Sequence, residues 1–303
     1  IESAAPQFKP GDQVICIGFD LGMNTPGGLG QYIRVPAQWV IPMPSGLSLK
    51  ESMIYGTAGF TAAMCIHRLI NHGVTPDQGE ILVTGATGGV GSLAIALLSG
   101  LGYKPVAVSG KADAIPFLES LGAVSVLARD EAEAQAEKPI LKARWAGVVD
   151  TVGGKILSKA IKMTRYGGAV TCCGLVASPN LSLTVFPFIL RSVALYGIDS
   201  AECGHELRLV LWEKLAGDWR PDGLAALSRE IDTLEHHLPF LATVGSTSHT
   251  FDDDDNVDEA GVDEDVEGVG NAVGAVSLVD EQYEQQQPCA LSSHDREAKA
   301  AEA

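Results

Sequence analysis

The 303-residue sequence is short of several things, and each shortage excludes a class of protein. Its six cysteines (Cys16, Cys65, Cys172, Cys173, Cys203, Cys289) follow no pairing rhythm and include no CxxC. This excludes a disulfide framework or a cysteine-built zinc lobe and reads as reduced thiols of a cytoplasmic protein. No G-x-S-x-G elbow is present, so a serine hydrolase of that kind is not expected. Basic residues are outnumbered, 21 Lys and Arg against 38 Asp and Glu, which gives no support to a nucleic-acid surface. No apolar run is long enough to span a bilayer, and the opening residues lack a basic stretch followed by an apolar one. No membrane or nucleic-acid partner is therefore expected.

The acidity is local. Residues 251–303 carry 16 acidic and 2 basic side chains, whereas residues 1–250 carry 22 and 19. With hydrophobic residues at 46% of the chain, the first 250 residues can build a core. The acidic stretch, almost free of aromatics, cannot bury enough apolar surface to offset its ordering entropy, and disorder is expected for 245–303.

Three regimes follow one another before that tail. Residues 1–50 hold short β-type runs, "QVICIGF", "GQYIRVP" and "QWVIPMP", among glycines and prolines. Ser48 with Glu51 three residues on forms a capping-box pattern that opens one or two helices, closed by Gly73. Strand-like runs at 81–84, 106–108, 124–127, 148–150, 169–173 and 193–198 then alternate with helix-like segments at 89–101, 112–121, 154–163 and 186–190. The stretch "ELRLVLWEKLAGDW" reads as a last amphipathic helix. Alternation of this kind implies right-handed crossovers and a parallel sheet covered on both faces. The expected fold class is α/β, a Rossmann doubly wound sheet over 51–244.

Within it, "ILVTGATGGVGSLAIALL" joins a strand to a helix through Gly85, Gly88, Gly89 and Gly91. The spacing is GxxGxxG, not GxGxxG, but the strand before and the helix after supply the context a dinucleotide turn needs. An ordinary strand–helix turn is the alternative. Gly85 would let the chain reverse, Gly88 and Gly89 would admit an anion close to the backbone, and Gly91 would let the helix pack on the sheet. No Lys-Ser or Lys-Thr follows the glycines, which disfavours a nucleotide-hydrolysing P-loop. The next strand ends "VAVSGKAD": Ser109 and Lys111 stand where an NAD-preferring fold has a carboxylate for the ribose 2′-hydroxyl. A hydroxyl and an ammonium attract a 2′-phosphate, so NADPH is expected; a solvated surface lysine is the plain alternative. "ECGHEL" at 202–207 resembles a zinc motif, yet no further ligands converge in the sequence pattern, and a capping turn with no metal is expected.

With these residues quoted, the chain resembles the acrylyl-CoA reductases, a zinc-free branch of the medium-chain dehydrogenase/reductases related to quinone oxidoreductases. The resemblance is carried by "GGLGQYIRV", "MIYGTAGFTAAMCI", "ILVTGATGGVGSLAIALL", "VAVSGKAD", "LGAVSVLARDE", "WAGVVDTVGG", "RYGGAVTCCGL" and "TVFPFILRSVALYGIDS", in order over about residues 10–240. It implies a GroES-like catalytic domain beside the Rossmann domain, of which residues 1–50 would be part. The family's opening strands and closing strand lack counterparts here, so a sequence incomplete or wrongly joined is expected, with exposed apolar faces at 10–45. The resemblance places pyrophosphate contacts on Thr87, Gly88, Gly89 and Val90. It places 2′-phosphate contacts on Ser109, Gly110 and Lys111, with Arg129 adding charge and Leu175, Ile189 and Ser200 lining the way to the nicotinamide. For Arg129 a surface salt bridge is the alternative, and for Leu175 and Ile189 core packing. Thr57 or Tyr55 would lie near the nicotinamide, with no catalytic acid assigned. The implied reaction is NADPH-dependent reduction of acryloyl-CoA, an acyl-CoA substrate, to propanoyl-CoA by a homodimer. An NADPH:quinone oxidoreductase and an inactive NADPH-binding fragment are the competing readings.

Overall fold

In the computed structural model, residues 7–228 are described, apart from 29, 31 and 135–137. The acidic segment expected at 245–303 lies outside the described residues.

Six parallel strands form one sheet: β3 (Glu80–Val83), β4 (Lys104–Ser109), β5 (Ser125–Ala128), β6 (Trp145–Asp150), β7 (Thr164–Cys172) and β8 (Ala194–Gly197). Their order across the sheet is β5-β4-β3-β6-β7-β8. The first strand of the set, β3, lies in the middle, and the chain winds outward from it in both directions, leaving a topological switch point between β3 and β6. Val83, Val106, Val148, Val149, Ala169 and Val170 are fully buried, as continuous apolar runs in a sheet covered on both faces require.

Each face has its own core. On one, α1 (Leu49–His72), α2 (Gly89–Gly100) and α7 (His205–Ala216) bury Phe60, Leu69, Leu97, Leu211 and Trp212. On the other, α5 (Gly154–Met163) buries Ile156, Leu157, Ala160 and Ile161 against Val148 and Val170. Of the shorter helices, α3 (Ile115–Ser120) and α6 (Phe186–Arg191) fall where the periodicity put them, and α4 (Arg129–Glu133) is added. Five residues, "RDEAE", are too few to show a helical period.

Helix α1 starts as its capping box predicts: the Glu51 N–H donates to Ser48 Oγ at 3.2 Å and the Ser48 N–H to Glu51 Oε2 at 3.0 Å. It ends at Gly73, in the left-handed conformation at φ 100°. Between them Gly56 (φ 48°, ψ −153°) breaks the helix into two halves, so Thr57 opens a second helix.

Ahead of the large sheet, β1 (Val14–Cys16) and β2 (Val40–Pro42) pair antiparallel. "GQYIRVP" forms no strand among its described residues; β-type composition does not suffice without a pairing neighbour. Met23, Tyr32 and Ile33 in this region are exposed, while Ile15, Ile17, Ile41 and Leu47 join the core built by α1 and α7.

Candidate functional site

The glycine turn sits at the carboxyl end of the central strand. Gly85 takes the left-handed conformation (φ 58°), and a Cβ there would overlap Thr151 Oγ1. A Cβ on Gly91 would overlap the Gly85 carbonyl oxygen and lie 2.8 Å from Ala86 Cα, so the helix can press on the turn only without one. The Gly88 N–H closes the turn onto Gly85 O at 2.9 Å, and Gly88 O accepts the first helical bond from Ser92 N–H at 2.9 Å. The N–H groups of Gly89, Val90 and Gly91 precede the first i→i−4 donor, Ser92, giving α2 a donor-rich, electropositive start. Gly89 has a second reason to lack a side chain: its Cβ would stand 3.1 Å from Ala58 Cβ, at the start of the second half of α1. Two helix N-termini therefore meet at this turn.

The turn is tied sideways to both neighbouring strands. Ala86 N–H donates to Val108 O on β4 at 3.1 Å, and Thr84 N–H to Val149 O on β6 at 3.0 Å. The first tie sets the turn beside Ser109, the last residue of β4. Ser109 Oγ accepts the Lys111 N–H at 3.0 Å, folding the backbone back at Gly110. Ser109 is in register with Ala128 on β5, so Arg129 follows directly beside it. A Cβ on Gly110 would be 3.7 Å from Arg129 Cβ and 3.8 Å from its Cδ, placing the arginine stem against this glycine. Lys111 and Arg129 are exposed, and among the described residues neither side chain is engaged in an ion pair, contrary to the salt-bridge alternative for Arg129. Thr87 through Val90 and Ser109, Gly110, Lys111 and Arg129 thus gather at the carboxyl ends of β3, β4 and β5.

On the other side of the switch point lies a group that the sequence reading passed over as a strand residue. Asp150, at the end of β6, is fully buried. Its Oδ1 accepts from Thr84 Oγ1 at 2.8 Å and its Oδ2 from Gly153 N–H at 2.8 Å, with Cys172 Sγ 3.6 Å from Oδ2. Thr151 completes the net, its N–H donating to Thr84 Oγ1 at 3.0 Å and its hydroxyl to Thr84 O at 2.9 Å. Burial pushes the Asp150 carboxyl above its ordinary range, opposed by these hydrogen bonds. Burial, then the Asp150 charge, pushes the Cys172 thiol up to about 11, so it serves as a protonated neighbour and not as a thiolate nucleophile.

Beyond Asp150, at the ends of β6, β7 and β8, a cavity of about 590 Å³ opens between Gly153, Cys172, Leu175, Leu181, Ile198 and Asp199. A second hollow of about 50 Å³, by Trp145 and Ile156, is too small for a nucleotide. Leu175 lines the larger cavity and is 63% exposed, which sets aside core packing. Ile189, on α6, is 70% exposed and not among the lining side chains. Ser200 shares a 2.8 Å hydroxyl hydrogen bond with Thr61, which also donates to Thr57 O at 2.7 Å. Tyr55 corrects an expectation. It is buried, it donates to Leu215 O at 3.1 Å, and burial raises its phenol to about 12, so it is a core residue turned away from the crevice.

A glycine turn at the switch point, a donor-rich helix start and a cationic edge beside the second strand define a dinucleotide-binding α/β protein. Comparison with known proteins narrows this class. Residues 89–216 match the family model described as zinc-binding dehydrogenase. The chain is 44% identical over 236 residues to the putative quinone oxidoreductase YhfP of Bacillus subtilis, covering 78% of this chain and 72% of that one. It is 46% identical over 234 residues to the probable acrylyl-CoA reductase AcuI of Escherichia coli K12, covering 77% and 71%. The crystal structure of YhfP with NAD bound superposes with a TM-score of 0.78, covering 80% of this chain and 74% of that one at 43% identity. The yhdH oxidoreductase of Salmonella enterica in complex with NADP gives 0.76 at the same coverage and identity. The chain belongs to this acrylyl-CoA reductase and quinone oxidoreductase family of medium-chain dehydrogenase/reductases. Among the described residues no three His, Cys, Asp or Glu side chains gather so as to hold a metal ion. His205 of "ECGHEL" opens α7, whose N-cap is Gly204.

Proposed function

We propose that the chain reduces the carbon–carbon double bond of acryloyl-CoA to propanoyl-CoA at the expense of NADPH. The observation that carries the cofactor half of this reading is the meeting of Ser109, Gly110, Lys111 and Arg129 beside the Ala86–Val108 tie. A carboxylate there would repel a 2′-phosphate, whereas two cations and a hydroxyl attract one. The glycine turn supports the fit indirectly: it can hold its shape under the start of α2 only without side chains at Gly85 and Gly91, where a Cβ would overlap Thr151 Oγ1 and the Gly85 carbonyl oxygen. The substrate half rests on likeness to the acrylyl-CoA reductases.

When bound, NADPH supplies the hydride that the β-carbon of the thioester-activated alkene takes up, a proton completing the α-carbon. The residues here bind and align. The N–H groups of Thr87, Gly89 and Val90 would face the pyrophosphate, with Gly88, whose own N–H is held by Gly85 O, letting it approach the backbone. Ser109, Gly110, Lys111 and Arg129 would face the 2′-phosphate. Asp150 holds Thr84 and Gly153, and with them the floor on which the turn rests. Leu175 and Ser200 would line the nicotinamide end, where alignment of hydride and acceptor accounts for the rate. Ile189 fits a different role, with Val185, Phe186 and Leu190, as the exposed apolar face of a homodimer next to the edge strand β8. Residues 1–50 would contribute part of a GroES-like catalytic domain, and 51–244 the nucleotide domain.

The likeness to YhfP favours a second reading, in which a quinone takes the hydride. One assay separates them: NADPH oxidation is followed with acryloyl-CoA and with a small quinone, after NADPH and NADH titrations. Turnover of acryloyl-CoA with tighter NADPH binding is expected. Turnover of the quinone alone would give the second reading, binding without turnover an inactive fragment, and tighter NADH binding would end the NADPH assignment.

A further inference from the structure

Helix α7 buries Leu211, Trp212 and Leu215 together with a fourth member of the same stripe, Arg208, which is 1% exposed. Among the described residues its guanidinium forms no ion pair with a carboxylate. Nε donates to Cys203 O at 2.8 Å, Nη1 to Ile17 O at 2.9 Å, and Nη2 to Ser200 O at 3.0 Å and Ala201 O at 2.6 Å. Its Cζ lies over two aromatic rings, 4.2 Å from the centre of Phe19 and 5.3 Å from that of Phe60. Phe19 in turn stacks on Trp39 (5.3 Å, 6°) and Phe60 on Trp212 (6.1 Å, 13°). The result is a ladder, Trp39–Phe19–Arg208–Phe60–Trp212, running from the small β unit through α1 to α7.

Burying an arginine on dipoles and π faces is a costly way to hold three segments together, since an apolar side chain of similar volume serves packing as well or better. What an apolar side chain cannot do is fix several main-chain carbonyls of two different loops at set distances. Arg208 does this for the turn at 17–19 and the loop at 200–203. The fit is tight: a Cβ on Gly18 would stand 3.0 Å from Ser200 O, Ala201 O and Arg208 Nη2. The second loop follows Ile198 and Asp199, which line the 590 Å³ cavity, and contains Ser200, whose hydroxyl bonds Thr61 behind the kink of α1.

We propose that Arg208 is a positioning residue that holds the 200–203 loop in register with the 17–19 turn, and so aligns the nicotinamide end of the bound cofactor without contributing to capture of its phosphates. The inference rests on the proposed binding mode of NADPH. Its effect is therefore confined to one half of the ligand, because the glycine turn and Ser109–Lys111 have no contact with the arginine.

The test compares NADPH with 2′-phospho-ADP-ribose, which keeps both phosphate groups and lacks the nicotinamide. Arg208→Lys keeps the charge but loses the planar fork; Arg208→Met keeps the volume. In both, NADPH affinity should fall at least fivefold while that of 2′-phospho-ADP-ribose changes less than twofold, and kcat should fall at least tenfold in an active enzyme. Thr61→Val, which removes the hydroxyl partner of Ser200 and spares the arginine, should shift the same affinity ratio in the same direction, so the inference stays testable if Arg208→Met does not fold. Equal losses for the two ligands, or no loss for either, would overturn the role of Arg208. Failure of the wild-type chain to bind either ligand would instead remove the binding mode beneath it, and the inference with it.

Discussion

Replacing Gly91 with alanine sets two effects against each other. An alanine in a helix is favoured over glycine by about 1 kcal/mol, so in open space the change should stabilise. At this position the added methyl overlaps the Gly85 carbonyl oxygen and comes within 2.8 Å of Ala86 Cα. Both obstacles are backbone, and the turn they belong to is held by Ala86 N–H on Val108 O and Thr84 N–H on Val149 O. Neither can swing aside as a flexible side chain would, so α2 must retreat from the sheet. Overpacking of this sort costs about 1–3 kcal/mol, and it displaces the helix start that the pyrophosphate would use. Net of the helix-propensity gain the cost is about 0–2 kcal/mol. The expected outcome is a melting temperature lower by up to about 8 °C, at about 2–4 °C per kcal/mol for a domain of about 150–250 residues, and NADPH affinity reduced at least tenfold. Gly204→Ala is the control, since nothing lies within 4 Å of its Cβ and its φ is −60°. Thermal melts and fluorescence titration of the two variants decide the matter. If Gly91→Ala melts and binds like the wild type, the helix does not press on the turn as described.

Three further outcomes follow from the same geometry. Lys111→Ala and Arg129→Ala should each weaken NADPH several-fold and leave NADH unchanged, with the difference shrinking as salt is raised because both cations are exposed; titrations at two ionic strengths check it, and equal effects on both nucleotides would contradict it. The carboxyl of Asp150 is raised in the folded chain, so the cost of burying its charge is absent below the ordinary carboxylate pKa and complete above the folded one. Asp150→Asn should therefore compare best with the wild type near neutrality and lose ground as pH is lowered toward 4, seen in paired melts; a difference independent of pH would show that the carboxyl does not titrate in this range. Tyr55→Phe leaves Leu215 O without its donor, at a cost of about 1 kcal/mol, and should leave the pH profile of turnover unchanged, since the phenol points into the core; a lost limb in that profile would return Tyr55 to the crevice.

What could be read from the residue string follows a physical line. The sheet was legible because buried parallel strands are uninterrupted apolar runs, and the glycine turn because its side-chain vacancies recur at set places between a strand and a helix. Ser109 and Lys111 were legible because they directly end the second strand. Arg129 could be placed beside them only through likeness to a family, since what joins it to Gly110 is the pairing of β4 with β5, a contact between residues 19 positions apart. Asp150 was hidden for a related reason. A carboxylate at a strand end looks like the start of a loop, and only the neighbours β3 and β7 on either side make it a buried acceptor for Thr84 and Gly153.

Arg208 is the sharper case. Periodicity assigns position 208 to the apolar stripe with Leu211, Trp212 and Leu215, and residue chemistry assigns it to solvent. The structure resolves the conflict by bringing four carbonyls and two aromatic rings to the guanidinium, from segments nearly two hundred residues apart in sequence at the widest, Ile17 and Arg208. A charged residue on the buried stripe of a helix is thus a local inconsistency that only long-range structure repairs, and such repairs cost stability that an apolar residue would not. That the cost falls at the loop carrying Ser200, and not at some remote part of the core, is what supports the proposed role of the arginine in aligning the crevice.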